Sequence, residues 1–287
     1  MMKKLLSLLG IAVFSFGTAV SADSTPGDII VTLGENLTPA QKEQLLEEMN
    51  VPQDTETITV SNAEEHQYLG DYIPKAQIGT KAISSSKITT AESGSGLNVE
   101  TKNITWVSKE MYTNALTTAS VKDADIYITA PFEVSGTAAL TGIIKAYETT
   151  TGEEIPEEQK QVANEEMVTT AKLGDEIGKE EATNLIERIK EEVAAQNPQT
   201  VQEIQVIINN ISNELNITLT EAQKNQLAAL FDKMQNLDIN WDQVNSQIDK
   251  AKEQWDSFKN SEEGQGFLQS IIDFLQSVVD SIAGLFK

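Results

Sequence analysis

The sequence has no cysteine, one histidine (His66) and one arginine (Arg188) in 287 residues. Without thiols there is no disulfide framework, no thiolate nucleophile and no cysteine zinc cluster, and a single imidazole leaves no His-dependent triad. Cations are scarce as well: 21 Lys plus Arg stand against 44 Asp plus Glu, a formal charge of −23. Binding nucleic acid requires clustered cations to neutralise phosphates, so nucleic acid is not an expected partner. Long apolar runs are also missing. The longest, residues 5–16, is about a dozen residues, short of the roughly 20 a membrane-spanning helix needs. Hydrophobic residues make up 39% and mean hydropathy is −0.28, the composition of a soluble globular chain rather than an acidic disordered one. At about 150 residues per domain, the length suggests two domains.

The first 22 residues read as a secretory signal peptide: Lys3 and Lys4, then an apolar stretch, then Val20-Ser21-Ala22 with small residues at the recognition positions of a signal-peptidase site. Cleavage would start the mature chain at Asp23, leaving 19 cations against 44 anions and a charge of about −25. No cysteine follows the apolar stretch to carry a lipid, so the expected location is secreted, extracellular or held non-covalently in the cell envelope. Absence of cysteine fits an exterior where disulfides are little used.

Residues 23–150 alternate strand and helix signals. "DIIVTL" from Asp28 reads as a buried strand, and Thr38-Pro39 caps a helix with Leu45, Leu46 and Met49 inward. "TITV" from Thr57 is a second strand, and Asn62 begins a short helix that ends at Gly70. The pattern recurs with "LNVET" from Leu97, a helix capped by Ser108, the strand "DIYIT" from Asp125 and a helix opened by Ser135. A shift of 68 residues lays Val31 on Val99 and Ile58 on Ile126, a repeat of spacing more than of sequence. The expected fold class is α+β, with a split βαβ (ferredoxin-like) sheet and an added hairpin around Gly94-Ser95-Gly96. A doubly wound α/β sheet is the alternative. The polar stretch 152–156 is the expected boundary, with two separately protease-resistant parts meeting there. Residues 151–287 read as an all-helical domain, with apolar spacings in 182–195, 201–215, 219–237, 241–258 and 267–286. "LTPAQKEQL" from Leu37 and "LTEAQKNQL" from Leu219 are read as two helix starts sharing one capping solution rather than as a docking motif.

At "VTLGENLTPAQKEQLLEEMNVP", "AQIGTKAISSSKIT", "GSGLNVETKNIT" and "YITAPFEVSGTAALTGIIKAYE", and on through "LTEAQKNQLAALFDKM", the chain resembles the YpuA-like family of uncharacterised secreted proteins of Gram-positive bacteria. The resemblance implies export by a Gram-positive cell. It carries over no catalytic or binding residue.

Several constellations have spacings that invite a chemical reading. Ser84 and Lys87 have S-x-x-K spacing, but in a strand these positions point to opposite faces. Asp238, Asn240, Asp242 and Asp249 match part of a calcium-loop pattern, but Gln243 stands where glycine is required, so Asn240 is read as a helix cap. Ser135, Gly136 and Thr137 sit where a strand turns into a helix, a candidate anion pocket set against simple capping. His66 is read as a solvated or hydrogen-bonded histidine. No catalytic, cofactor-binding or metal-ligating set is expected, and no cofactor.

At the C-terminus, Phe267, Leu268, Ile271, Ile272, Phe274, Leu275, Val278, Val279, Ile282, Leu285 and Phe286 share one helical face. Its expected cover is the protein's own helical domain. A partner protein or second copy comes next, and a membrane surface last, because only Lys287 is cationic there. The functional expectation is a secreted or envelope-associated, non-enzymatic binding protein whose partner is an unknown envelope or extracellular molecule. The alternative is a carboxylate-dependent hydrolase acting on cell-wall glycan or peptide.

Overall fold

The computed structural model describes residues 25–52 and 54–260, so the expected leader and the expected face of Phe267 to Phe286 lie outside the described residues. In chain order the elements are β1 (Ile29–Gly34), α1 (Pro39–Glu48), β2 (Glu56–Val60), α2 (Asn62–Leu69), α3 (Lys75–Ile78), β3 (Ser85–Thr90), β4 (Leu97–Ile104), α4 (Lys109–Thr118), β5 (Ala124–Val134) and α5 (Thr137–Thr151). Then come α6 (Glu157–Ile177), α7 (Lys179–Gln196), α8 (Val201–Glu214), α9 (Glu221–Gln235) and α10 (Trp241–Asn260). Among the described residues the chain is thus α+β, sheet and helices first and helices alone after.

Local signals set the helix starts. Thr38 and Gln41 form a reciprocal capping box at α1, and Thr220 and Gln223 form the same box at α9, so the two near-identical nonamers are one capping solution used twice. Helix α8 presents Ile204, Ile207, Ile208 and Ile211 inward, all buried. Each contributes roughly 1.5–3 kcal/mol by leaving water.

The five strands lie in the order β2-β1-β3-β5-β4. β1 pairs with β2 in parallel and β4 with β5 in parallel, while β3 runs antiparallel to both its neighbours, β1 and β5. This corrects the split βαβ expectation, which needs a strand between the two parallel ones: Val31 pairs directly with Thr57. It is not an all-parallel doubly wound sheet either. The expected hairpin is also absent, because β5 lies between β3 and β4. β5 buries Ile126, Ile128, Thr129 and Ala130, covering both its faces, whereas β4 alternates buried and exposed residues and takes the edge.

The register explains why the repeat of spacing is not a repeat of structure. Ile30, Ile88, Ile126 and Val99 form one row across the sheet, on the face that packs under α4, α5 and α6. Val31 belongs to the opposite face, with Leu33, Leu45 and Met49 beneath α1. The 68-residue shift therefore lays Val31 on Val99 although they face opposite sides of the sheet, while Ile58 and Ile126 share one side, so the match of spacing fails at the first strand of the unit.

Helix α6 joins the two parts of the chain. Its Ala163, Met167, Val168 and Ala171 complete the core on the sheet, while its Val162 and Leu173 belong to a second core with Leu185, Ile186 and Ile189 of α7, Ile208 of α8 and Phe231 of α9. The sheet's core therefore continues past residue 150. Gly152, Glu153 and Glu154 are exposed just before α6. A glutamate-specific protease is expected to cut there early and to leave two fragments that co-elute on a native sizing column, separating only in denaturant. Separate elution without denaturant would contradict the shared helix.

Candidate functional site

Gly136, in the left-handed conformation at φ 94°, precedes α5, and no side chain caps the helix. A Cβ at Gly136 would run into the Tyr112 hydroxyl and the Ile104 side chain, and that hydroxyl donates to the Gly136 carbonyl. Ser135 lies beside Thr137, their hydroxyls 3.3 Å apart. The buried Thr137 hydroxyl faces the chain's own carboxylate, Glu65 Oε1 at 3.5 Å, and Asn62 donates to the other Glu65 oxygen at 2.9 Å. Burial pushes the Glu65 carboxyl up to about 7, against the lowering effect of Asn62 and Thr137. The candidate anion pocket is thus brought together with an internal carboxylate that sequence reading did not single out.

The S-x-x-K pair, the calcium-loop positions and His66 take structural places. Ser84 is buried ahead of β3, and the Lys87 ammonium donates to the Met49 carbonyl at 2.9 Å. Asn240 Oδ1 accepts from the Gln243 amide at 3.0 Å, as a helix cap does. His66 Nε2 donates to the Gly79 carbonyl at 3.0 Å. Among the described residues no group of three or more His, Asp or Glu is gathered to hold a metal ion, and no helix is long and apolar enough to cross a membrane.

A small cavity of about 220 Å³ opens where α2, α5 and α6 meet. Each helix turns a polar stripe toward it at helical spacing: Glu64, Gln67 and Tyr68 from α2, Thr141, Lys145 and Glu148 from α5, and Lys160 and Asn164 from α6, with Ile144 as an apolar wall. Lys145 Nζ lies 2.6 Å from Glu64 Oε1, and Lys160 Nζ lies 3.2 Å from Glu148 Oε1 and 3.3 Å from Glu157 Oε2. Burial raises Glu64, but the Lys145 ammonium with the Ser61 amide and hydroxyl outweighs it and holds the carboxyl below its ordinary value. Burial lowers Lys160, and Glu148 and Glu157 outweigh it, holding the ammonium above its ordinary value.

Two of the residues that line this cavity carry a buried polar atom with no partner: Asn164 (Oδ1), 1% exposed, and Thr141 (Oγ1), 5% exposed. The Asn164 amide nitrogen donates to the Lys160 carbonyl at 2.8 Å, which fixes the orientation of the amide and leaves its oxygen as the free acceptor. Leaving such a group unmet costs about 1–3 kcal/mol. A second, wider hollow of about 370 Å³ lies between the Gly94–Gly96 turn and α10, but its one unpartnered atom, Gln243 Oε1, belongs to a half-exposed residue. Sequence reading missed the residues of the first cavity. The available signal was the i, i+4, i+7 run Thr141, Lys145, Glu148 beside an otherwise apolar helix face.

Fold and cavity together define an α+β protein with a five-stranded mixed sheet, a helical layer shared between two cores, and a polar hollow among three of its helices. Over residues 33–251 the chain matches the family described as Protein of unknown function (DUF1002), and it belongs to that family. It is 56% identical over 267 residues to the "Uncharacterized protein YpuA" of Bacillus subtilis (strain 168), a match covering 93% of this chain and 92% of that relative. The resemblance read from the sequence is therefore a family relationship. No solved structure matches.

Proposed function

We propose that the protein is exported, stays secreted or associated with the cell envelope, and binds a small polar solute in the α2/α5/α6 cavity without transforming it. The observation that carries the binding role is the pair of buried, unpartnered groups, Asn164 Oδ1 and Thr141 Oγ1, on two residues that line one cavity. Water meets such groups in a free protein, and a ligand that reproduces its hydrogen bonds replaces it. Export is supported by Lys3, Lys4 and Val20-Ser21-Ala22. The face of Phe267 to Phe286 adds a candidate surface for an envelope or extracellular protein. A hydrolase acting through Glu64 would need that carboxyl poised as an acid, whereas Lys145 and the Ser61 amide and hydroxyl hold it below its ordinary value.

Two measurements test this reading. Intact mass of the protein from culture supernatant and wall fractions is expected to give a chain beginning at Asp23; a start at Ser21 or retention of Met1 would refute the cleavage site, and absence of the protein from both fractions would refute export. Titrating the mature protein with a panel of neutral, cationic and anionic small solutes is expected to shift the Asn164 side-chain amide resonances for at least one of them. No shift across the panel would overturn the binding role, as would release of soluble fragments from purified peptidoglycan.

A further inference from the structure

Resting on the reading of this cavity as a ligand site, we infer that its occupant is a neutral, hydroxyl-rich solute about the size of one sugar ring. The volume of about 220 Å³ falls below the roughly 300–1,000 Å³ of sites that take drug-sized molecules, which limits the occupant to a single small ring or chain.

The charges decide its class. Two ammonium groups and two carboxylates line the cavity and are matched in pairs, Lys145 with Glu64 and Lys160 with Glu148, and Lys160 has a further, more exposed partner in Glu157 behind the lining. A ligand with net charge would draw one member of a pair toward itself and leave the other half-buried without its counter-ion. An ammonium ligand would suit the Asn164 oxygen but would meet Lys145 and Lys160; an anion would meet Glu64 and Glu148 and find no donor at Asn164 Oδ1.

A hydroxyl suits every group present. It donates to a carboxylate or to Asn164 Oδ1 while accepting from a neighbouring ammonium, and Thr141 takes either role. Each lysine–glutamate pair sets a donor beside an acceptor, the pattern adjacent hydroxyls on one ring can use together. Ile144 and the Tyr68 ring supply an apolar wall for the ring's C–H face.

The test is calorimetric titration of the mature protein with glucose and myo-inositol as neutral probes, and with glucosamine and gluconate as cationic and anionic probes of similar size. A neutral probe is expected to bind most tightly, and Asn164→Ala and Thr141→Val are each expected to weaken it by roughly tenfold or more. Far-UV dichroism and melting show whether each variant folds. Should one not fold, the shift of the Asn164 side-chain amide in the unaltered protein on adding the neutral probe serves in its place. Tighter binding of glucosamine or gluconate would overturn the neutral class while leaving a solute site intact. Neutral-probe binding unaffected by a folded Asn164→Ala variant would overturn the assignment to this cavity. If the four probes fail while another member of the solute panel shifts Asn164, this inference alone falls; if nothing shifts Asn164, the site falls with it.

Discussion

Replacing Lys190 by methionine is expected to cost the fold about 3–5 kcal/mol, the largest effect of any single change here. Lys190 Nζ lies 2.5 Å from Glu166 Oε1, with both side chains 1% exposed. The same ammonium donates to Thr118 Oγ1 at 2.8 Å and to the Asn114 carbonyl at 3.0 Å, while the Thr118 hydroxyl donates onward to Glu166 Oε2 at 2.5 Å. Gln159 closes the group by donating to the Thr118 carbonyl at 2.8 Å. Removing the lysine strands a carboxylate among α4, α6 and α7 with only a hydroxyl to meet it. Replacing both partners, Lys190→Met with Glu166→Leu, removes the stranded charge and is expected to recover most of the loss. Urea unfolding of parent, single and double variants closes the cycle. A single variant costing under about 1 kcal/mol would mean that the pair is wet in solution.

Stability is expected to fall by on the order of 3 kcal/mol between about pH 4.5 and pH 7 on account of Glu65 alone. The unfolded chain gives up this proton near 4.5, whereas burial keeps it on the native carboxyl to about 7. Across that window the native state binds more protons, so rising pH favours unfolding; above about 7 both states are ionised and the penalty is constant. Glu187, buried and also raised, acts in the same direction. Glu64 and Glu48 are held low, so their contributions are present above the unfolded value and disappear only as pH falls below it. Glu65→Gln is therefore expected to leave stability at pH 5 nearly unchanged and to raise it at pH 8. Denaturation of parent and variant at both values decides the matter, and equal stability of the two proteins at pH 8 would sink the assignment.

What was legible in the sequence was local. The side-chain oxygens of Thr38, Ser108, Thr200 and Thr220 each accept from a first-turn amide, a choice made within four residues, and the helices behind them begin where the sequence places them. Strand order was not legible, because nothing near β3 says that β5 rather than β4 will pair with it. Helix α6 escaped for another reason. Its inward positions include Gln159, Asn164, Glu165, Glu166, Thr169 and Thr170, all buried, so the apolar periodicity that marks a helix is broken by residues that find partners only across the fold. The candidate cavity was hidden with it, since Asn164 reads as a surface residue until α2 and α5 are packed against it.

The Gln247 side chain of α10 accepts from the Leu97 amide and donates to the Leu97 carbonyl, both at 3.0 Å, and Lys250 donates to the Gly94 carbonyl nearby. Leu97 begins β4, the strand at the end of the sheet, so one carboxamide occupies the backbone groups to which a further strand would add. A glutamine placed this way behaves as a one-residue counterfeit strand. It closes the start of that edge to a second chain, which matters for a protein that has no cysteine with which to cross-link its fold.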